Sequence, residues 1–154
     1  MVDLNKPGSI KRTIAMAEIQ KILHRYCIMA HENAPFDEIQ HLFHPHGFFR
    51  LPDGTAFSPA DMGKVVRGQP PSMISPHISR TNIHFTGGRR ATAKLLFFAM
   101  TGLSAINYQG YQMDEFELGP NAEDGGVCAW LLAKRSIIIE GQEPKGCYAM
   151  SYGV

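Results

Sequence analysis

The sequence predicts an α+β fold, with helices first along the chain and antiparallel strands after them. A stripe of apolar residues with helical spacing lies in the N-terminal part, and strand-like runs separated by short turns begin at His77. A chain of 154 residues is the size of one domain. We therefore expect a single domain over residues 1–154, in which 141–154 form a C-terminal tail.

The first helix is predicted from apolar residues spaced three or four apart between Ile19 and Ala30, which give a helix one buried face. Thr13 is a suitable N-cap, and Pro35 marks the end of the helix. The segment FDEIQHLF, residues 36–43, predicts a second, short helix.

A hairpin is expected in the segment GFFRLPDGTAFS, residues 47–58, because the pair Asp53-Gly54 favours a tight turn. Ser58 is a candidate cap for a third helix over residues 59–66, since proline suits a first helical turn. Four strands are expected in the second half of the chain, over residues 77–85, 91–108, 110–118 and 127–139.

Composition excludes several classes of protein. The net charge of +1 gives no large basic face for nucleic acid. The three cysteines, an odd number without close spacing, argue against a disulfide framework and for a reducing compartment. The N-terminus has no apolar run of the kind that a secretion signal needs, and no apolar run is long enough to span a bilayer. We therefore expect a cytoplasmic protein without membrane contact.

No motif in the chain requires a cofactor. The glycine pairs at 87–88 and 125–126 lie in expected hairpin turns rather than in a phosphate-binding loop, and no nucleophile elbow is present. His41, His44 and His46 could supply three imidazole ligands. We interpret them as outward-facing polar residues between apolar anchors, and expect no metal.

The order of several short motifs resembles a known family. The last part of the first helix contains Arg25-Tyr26, and Glu32 precedes Phe36 by four residues. An LF-x-P-x-G-F segment follows at residues 42–48, and a W…xKR segment lies at 130–135. Over residues 19–139 this order is similar to the SnoaL-like family of the nuclear-transport-factor-like superfamily. The resemblance implies a cone-shaped barrel, in which a curved, mainly antiparallel sheet wraps around N-terminal helices.

The resemblance extends to scytalone dehydratase and implies an acid–base site. In such relatives a carboxylate ends the first helix and a histidine that acts as base begins the first long strand, which places Glu32 and His77 in those roles. His31 falls where scytalone dehydratase has a tyrosine, and Tyr26 or His31 would polarise a substrate oxygen. The sequence departs from the pattern in having Glu for Asp and in lacking a second pocket histidine at residues 97–104.

The alternation of side chains along the predicted strand gives a second argument for His77 as a site residue. If the strand is regular over residues 77–85, His77 shares a face with Ile83 and Phe85, which are expected to be interior. A histidine whose pKa lies near neutral pH, and whose ring is oriented by a carboxylate, is a suitable general base. The residues expected to line an apolar cavity are Phe49, Phe97, Tyr111, Met113 and Trp130. Arg135 is interpreted as structural or interfacial.

The sequence is compatible with two functions. The first is a cofactor-independent lyase or isomerase, of dehydratase type, acting on a small apolar cyclic or aromatic molecule. The second is a non-catalytic ligand-binding or assembly module, similar to an oxygenase small subunit. In either case the outer face of the sheet is expected to be covered by another copy of the chain, in a homodimer or homotrimer.

Overall fold

The computed structural model of the chain describes residues 4, 6, 8–32, 34–51, 54–61, 74–101, 105–121 and 127–142. For residues 74–80, 99–101, 105–109, 121, 127, 139 and 141–142 it describes the backbone alone. The predicted α+β class is confirmed: in the described part, two α-helices precede all six strands of one sheet. None of the helices in the described part is long and apolar enough to cross a membrane.

Helix α1 spans Ile10–His31 and begins earlier than predicted. Ser9, and not Thr13, is the N-cap, since its side-chain oxygen accepts a hydrogen bond from the backbone N–H of Arg12 at 3.5 Å. The hydroxyl of Thr13 instead donates to the Ser9 carbonyl one turn back, at 3.2 Å. The buried face of α1 carries Ala15, Ile19, Ile22, Leu23, Tyr26 and Met29.

The segment after α1 is compact. Helix α2 spans Phe36–Ile39 and continues as a 3₁₀ turn over Gln40–Leu42. Strands β1, Phe43–Arg50, and β2, Ala56–Phe57, form the predicted antiparallel hairpin, and Gly54 between them has a φ of +90°. The predicted third helix is a 3₁₀ turn over Pro59–Asp61, and the rest of that prediction lies outside the described residues.

Four long strands complete the sheet. They are β3, Ile74–Phe85; β4, Arg90–Thr101; β5, Ala105–Asn121; and β6, Val127–Gln142. The prediction of one strand over residues 91–108 is wrong, because the chain turns back after Thr101 and pairs Ala99 with Tyr108. The sequence did not predict this turn because apolar residues lie on both sides of it. Strand β6 extends into the expected tail, and residues 143–154 lie outside the described part.

The sheet has the order β2-β1-β6-β5-β4-β3 and is antiparallel except where β1 runs parallel to β6. It is curved and mixed, and it is not closed into a barrel. Helix α1 packs against β3 and β6 and so covers one face, which we call the inner face. The inner face is defined by the buried residues Phe49, Phe85, Ala93, Leu95, Phe97, Phe116 and Leu132.

Candidate functional site

A row of cross-strand neighbours runs across the inner face and contains charged residues. The register pairs Ala93 of β4 with Asp114 of β5, Asp114 with Arg135 of β6, and Arg135 with Phe49 of β1. Asp114 and Arg135 are each 1% exposed. Two full charges therefore lie side by side in an otherwise apolar layer.

Asp114 and Arg135 form a bidentate ion pair. Nε of Arg135 donates to Oδ1 of Asp114 at 3.0 Å, and Nη2 donates to Oδ2 at 2.7 Å. Both carboxylate oxygens accept from N–H groups, so this geometry belongs to the ionised form of Asp114. The pair fixes the orientation of the guanidinium plane within the core.

Tyr26 of α1 covers the guanidinium from the helix side. Its ring centroid lies 4.1 Å from Cζ of Arg135, within the range of a cation–π contact. The other neighbour of the ring is Phe43, in an edge-to-face arrangement with centroids 6.3 Å apart. Helix α1 therefore places the aromatic ring of Tyr26, with its hydroxyl group, beside the buried ion pair of Asp114 and Arg135.

Burial shifts the proton affinities of this cluster. Burial raises the pKa of Tyr26 above 10.0, and the charge of Arg135 and a side-chain hydrogen bond with it oppose that increase. Burial also raises the pKa of Asp114, which Arg135 counteracts. For Arg135 itself, burial alone would lower the pKa, but Asp114, with smaller contributions from Tyr26 and Cys27, raises it overall. At neutral pH Tyr26 is consequently a neutral hydroxyl and Arg135 a permanent cation.

Two polar atoms of the inner face have no hydrogen-bond partner among the described groups. They are Nη1 of Arg135 and Oε1 of Gln112, whose side chain is 5% exposed. A buried polar atom without a partner costs about 1–3 kcal/mol, and such atoms in folded proteins commonly face a water, an ion or a ligand.

Alternation along the sequence could not have placed Arg135 on the inner face. Trp130 and Leu132 are buried, so a regular strand would turn Lys134 inward and Arg135 outward. The register instead advances from Leu132 to Lys134 while β5 advances by one residue, which makes Ala133 an extra residue in β6. Alternation along the sequence therefore did not identify Arg135, Asp114 and Gln112 as residues that share the inner face.

Of the predicted catalytic residues, Tyr26 lies in this cluster. His31 is the last residue of α1, and Glu32 is its C-cap, where its backbone N–H donates to the carbonyl of Ile28 at 2.8 Å. The side chains of His31 and Glu32 are both exposed. The structure thus places Tyr26 inside the fold, and places His31 and Glu32 at the solvent-facing end of the same helix.

The backbone of His77 lies in β3, paired with Phe98 of β4, and its side chain lies outside the described part. The strand is not regular over residues 77–85, because Ile78 pairs with Phe97 whereas Arg80 pairs with Leu96. This bulge breaks the alternation by which His77 was assigned to the face of Ile83. The His77–Glu32 pair stays a prediction.

The five residues expected to line a cavity divide between the two faces. Phe49, Phe97 and Trp130 are buried, at 1%, 5% and 5% exposure. Tyr111 and Met113 alternate with Gln112 and Asp114 along β5 and lie on the opposite, outer face; Met113 is 39% exposed, and Nζ of Lys94 lies 4.4 Å from the ring centroid of Tyr111.

The histidine cluster packs locally. The backbone N–H of His46 donates to Nδ1 of His44 at 3.2 Å, and the His44 ring lies against Gly119. Within the described residues, no three His, Cys, Asp or Glu side chains are grouped so that they could hold a metal ion.

Comparison with known proteins establishes the fold. No protein-family model and no curated protein matches the chain. An NTF2-like protein with a cystatin-like fold from Novosphingobium aromaticivorans matches with a TM-score of 0.71 and 13% identity, over 93% of each chain. A candidate scytalone dehydratase from the same organism matches with a TM-score of 0.57 and 16% identity, over 86% of this chain and 89% of that one.

A third match points to a different kind of protein. The β subunit of a candidate aromatic-ring-hydroxylating dioxygenase, also from N. aromaticivorans, has a TM-score of 0.64 and 14% identity, over 86% of this chain and 93% of that one. At these identities the likeness establishes the fold alone. The chain has the nuclear-transport-factor-like α+β fold that the motif order predicted, a fold that supports unrelated functions.

Proposed function

We propose that the protein binds a small, mainly apolar cyclic or aromatic molecule against the inner face of its sheet, and acts on it as a cofactor-independent lyase or isomerase of dehydratase type. The observation that carries this proposal is the pair of unpartnered polar atoms on Arg135 and Gln112 within an apolar interior. An apolar site with a few convergent polar groups is the usual form of a small-molecule site.

The proposed chemistry begins with removal of a proton from carbon. His77 would accept that proton, and Glu32 would hydrogen-bond the other ring nitrogen and stabilise the imidazolium. Tyr26 or His31 would donate to the substrate oxygen. In a dehydration the C–O bond then breaks, and the departing oxygen recovers a proton and leaves as water; in an isomerisation the proton returns to a different carbon.

The buried cluster would stabilise the developing negative charge on oxygen. Tyr26 stays protonated because burial raises its pKa, so its hydroxyl is available as a donor. Arg135 is held in place by Asp114 and covered by the Tyr26 ring. Donors fixed before the reaction stabilise a transition state without reorganising.

The second candidate is a non-catalytic binding or assembly module, and a specific observation favours it. The buried carboxylate of the described inner face, Asp114, is bound by Arg135, and Glu32 is exposed. No carboxylate of the described interior is therefore free to act as a base. The structural match to an oxygenase β subunit is consistent with this function.

One titration separates the two candidates. The pKa of the His77 ring is measured by NMR in the parent protein and in Glu32→Gln. The lyase proposal expects the variant to lower it by about one unit or more, which is about 1.4 kcal/mol of coupling. Glu38→Gln, an exposed change on α2, is the matched control. If Glu32→Gln leaves the His77 pKa unchanged, the acid–base mechanism is wrong and the binding module is favoured.

A further inference from the structure

Helix α1 carries apolar residues on two opposite sides. The side of Ile19 is buried against the sheet. The other side carries Ile10, Ile14 and Ile28, which are 77%, 53% and 55% exposed. We infer that this exposed side binds a helix of another protein, and that the partner helix carries acidic residues where it faces Lys21. This surface lies apart from the inner face of the sheet, so the inference does not depend on the proposed function.

The exposed residues of α1 follow the spacing of a coiled-coil seam. They recur at alternating intervals of four and three residues, which are the a and d positions of a heptad repeat. With a rise of about 1.5 Å per residue, the seam is about 27 Å long. It therefore matches a partner helix of about three heptads. We call this set of exposed residues the outer stripe; it consists of Ile10, Ile14, Ala17, Lys21, His24 and Ile28.

A groove lies at the centre of the outer stripe. Its volume is about 530 Å³, and it is lined by Ala17, Gln20, Lys21, His24, Arg25 and Ile28. In a coiled coil, side chains of one helix insert as knobs into holes between the side chains of the other. A groove with apolar residues along a helix is thus a form of surface that an amphipathic helix recognises.

The charges around the outer stripe favour an acidic partner. Lys21 occupies an a position in the stripe itself, and the flanking e positions carry Lys11, Glu18 and Arg25, all exposed. Three cations and one carboxylate leave this side of the helix positive, and the first turn of α1 contains no acidic residue. A lysine at one a position weakens packing against an apolar helix, and it selects a partner that presents a carboxylate there.

A second copy of the outer stripe is a poor partner for the first. In a parallel pair, Lys21 would face Lys21 of the copy. In an antiparallel pair, Glu18 would lie near Glu18 of the copy, and Lys11 near Arg25. Both arrangements place like charges together, so the partner is a helix of different sequence.

An anionic membrane surface is a poorer match than a helix. A helix that lies in a membrane surface presents a continuous apolar face and keeps its basic residues on the polar face. Lys21 and His24 instead stand in the middle of the outer stripe. A single partner helix can place carboxylates opposite them.

Two synthetic peptides test this inference with the intact chain. Each is a helix of about three heptads with leucine at its outer a and d positions. The acidic peptide has glutamate in its middle layer and at e and g, and the basic peptide has lysine at the same places. Dissociation constants are measured by fluorescence anisotropy. We expect the acidic peptide to bind about tenfold or more tightly than the basic one, and the difference to shrink as salt is raised.

Charge reversal and apolar truncation test the stripe separately. Lys21→Glu should weaken binding of the acidic peptide about tenfold or more, and strengthen binding of the basic one. Arg50→Glu, the same charge change at an exposed position on β1, is the matched control and should leave both dissociation constants unchanged. The double variant Ile14→Gln/Ile28→Gln should weaken binding of both peptides, and it should fold because both side chains are exposed.

Several outcomes would overturn the inference. Equal binding of the two peptides does so, as does binding of neither. If Ile14→Gln/Ile28→Gln lowers the molar mass of the protein in light scattering, the outer stripe joins copies of this chain instead. If the chain binds phosphatidylserine vesicles in place of the peptides, and Lys21→Glu weakens that binding, the stripe contacts a membrane surface. None of these outcomes bears on the inner face, which the His77 titration tests separately.

Discussion

Arg135 and Asp114 join β6 to β5 through two parallel hydrogen bonds inside the core, with side chains 1% and 0% exposed. Their chain neighbours Lys134 and Glu115 pair on the outer face, with Nζ 3.8 Å from Oε1 and side chains 29% and 55% exposed. Adjacent positions of the same two strands therefore hold a buried and an exposed ion pair.

These two pairs permit a matched test of burial. Arg135→Met leaves Asp114 as an uncompensated buried charge, and should lower the free energy of unfolding by about 3–5 kcal/mol. The double variant Asp114→Leu/Arg135→Met removes both charges and should recover most of that loss. Urea unfolding curves measure each value.

Lys134→Met and Glu115→Leu provide the control cycle. Solvent screens that pair, so its coupling energy should be about 1 kcal/mol or less. Equal coupling energies in the two cycles would contradict the assignment of a strongly coupled pair to the core.

The phenol of Tyr26 should make stability sensitive to alkaline pH. The unfolded tyrosine ionises near 10.0, whereas burial raises its pKa in the folded state. Above about pH 10 the unfolded state therefore binds fewer protons than the folded one, and the free energy of unfolding falls by at most about 1.4 kcal/mol per pH unit for this group. Tyr26→Phe should remove that contribution.

The measurement compares urea unfolding of the parent and Tyr26→Phe between pH 8 and pH 11. Cys27, whose pKa burial also raises, is present in both proteins, so its contribution cancels in the difference. Parallel pH dependences in the two proteins would show that Tyr26 ionises as readily in the folded state as in the unfolded one.

Three glycines should differ in their tolerance of alanine. A Cβ at Gly47 would lie 2.9 Å from the carbonyl oxygen of His44 and 3.0 Å from that of Leu132, which are backbone atoms of the sheet. A Cβ at Gly119 would meet the His44 ring at 2.6 Å, a side chain that can turn away. At Gly87 nothing lies within 4 Å.

We expect Gly47→Ala to be the most destabilising of the three, Gly119→Ala to cost about 1–3 kcal/mol, and Gly87→Ala to have little effect. Adding His44→Ala should relieve Gly119→Ala but not Gly47→Ala. Thermal unfolding of the three single and two double variants measures this order, and relief of both glycine variants by His44→Ala would contradict it.

The outer face of the sheet should form a contact between copies of the chain. Leu96 and Met113, diagonal neighbours on the outer face of β4 and β5, are 43% and 39% exposed, and exposed apolar side chains grouped on one face favour association. The double variant Leu96→Arg/Met113→Arg should convert a dimer or trimer to a monomer in light scattering. Gln20→Arg, at an exposed polar position on α1, should leave the oligomer intact. A monomeric parent protein would contradict this prediction.

Much of the fold followed from local patterns. The spacing from Ile19 to Ala30 predicted the buried face of α1, except that Met29 is buried while Cys27 and Ala30 are half-buried. Asp53-Gly54 predicted the β1–β2 hairpin. The ends of these helices and strands were predicted less accurately than their presence. Ser9 caps α1 four residues before the predicted Thr13, because a cap is decided by one hydrogen bond that several nearby hydroxyls could make.

The sequence by itself determined the α+β class, the order of the elements and the burial of Tyr26. Only the tertiary structure decided which polar residues share the interior with Tyr26. An extra residue at Ala133 turns Arg135 inward beside Asp114. The bulge after Ile78 means that simple alternation from Ile83 no longer predicts the face of the sheet on which His77 lies. A bulge reverses every later side chain in its strand, and its position depends on a partner strand distant in the sequence.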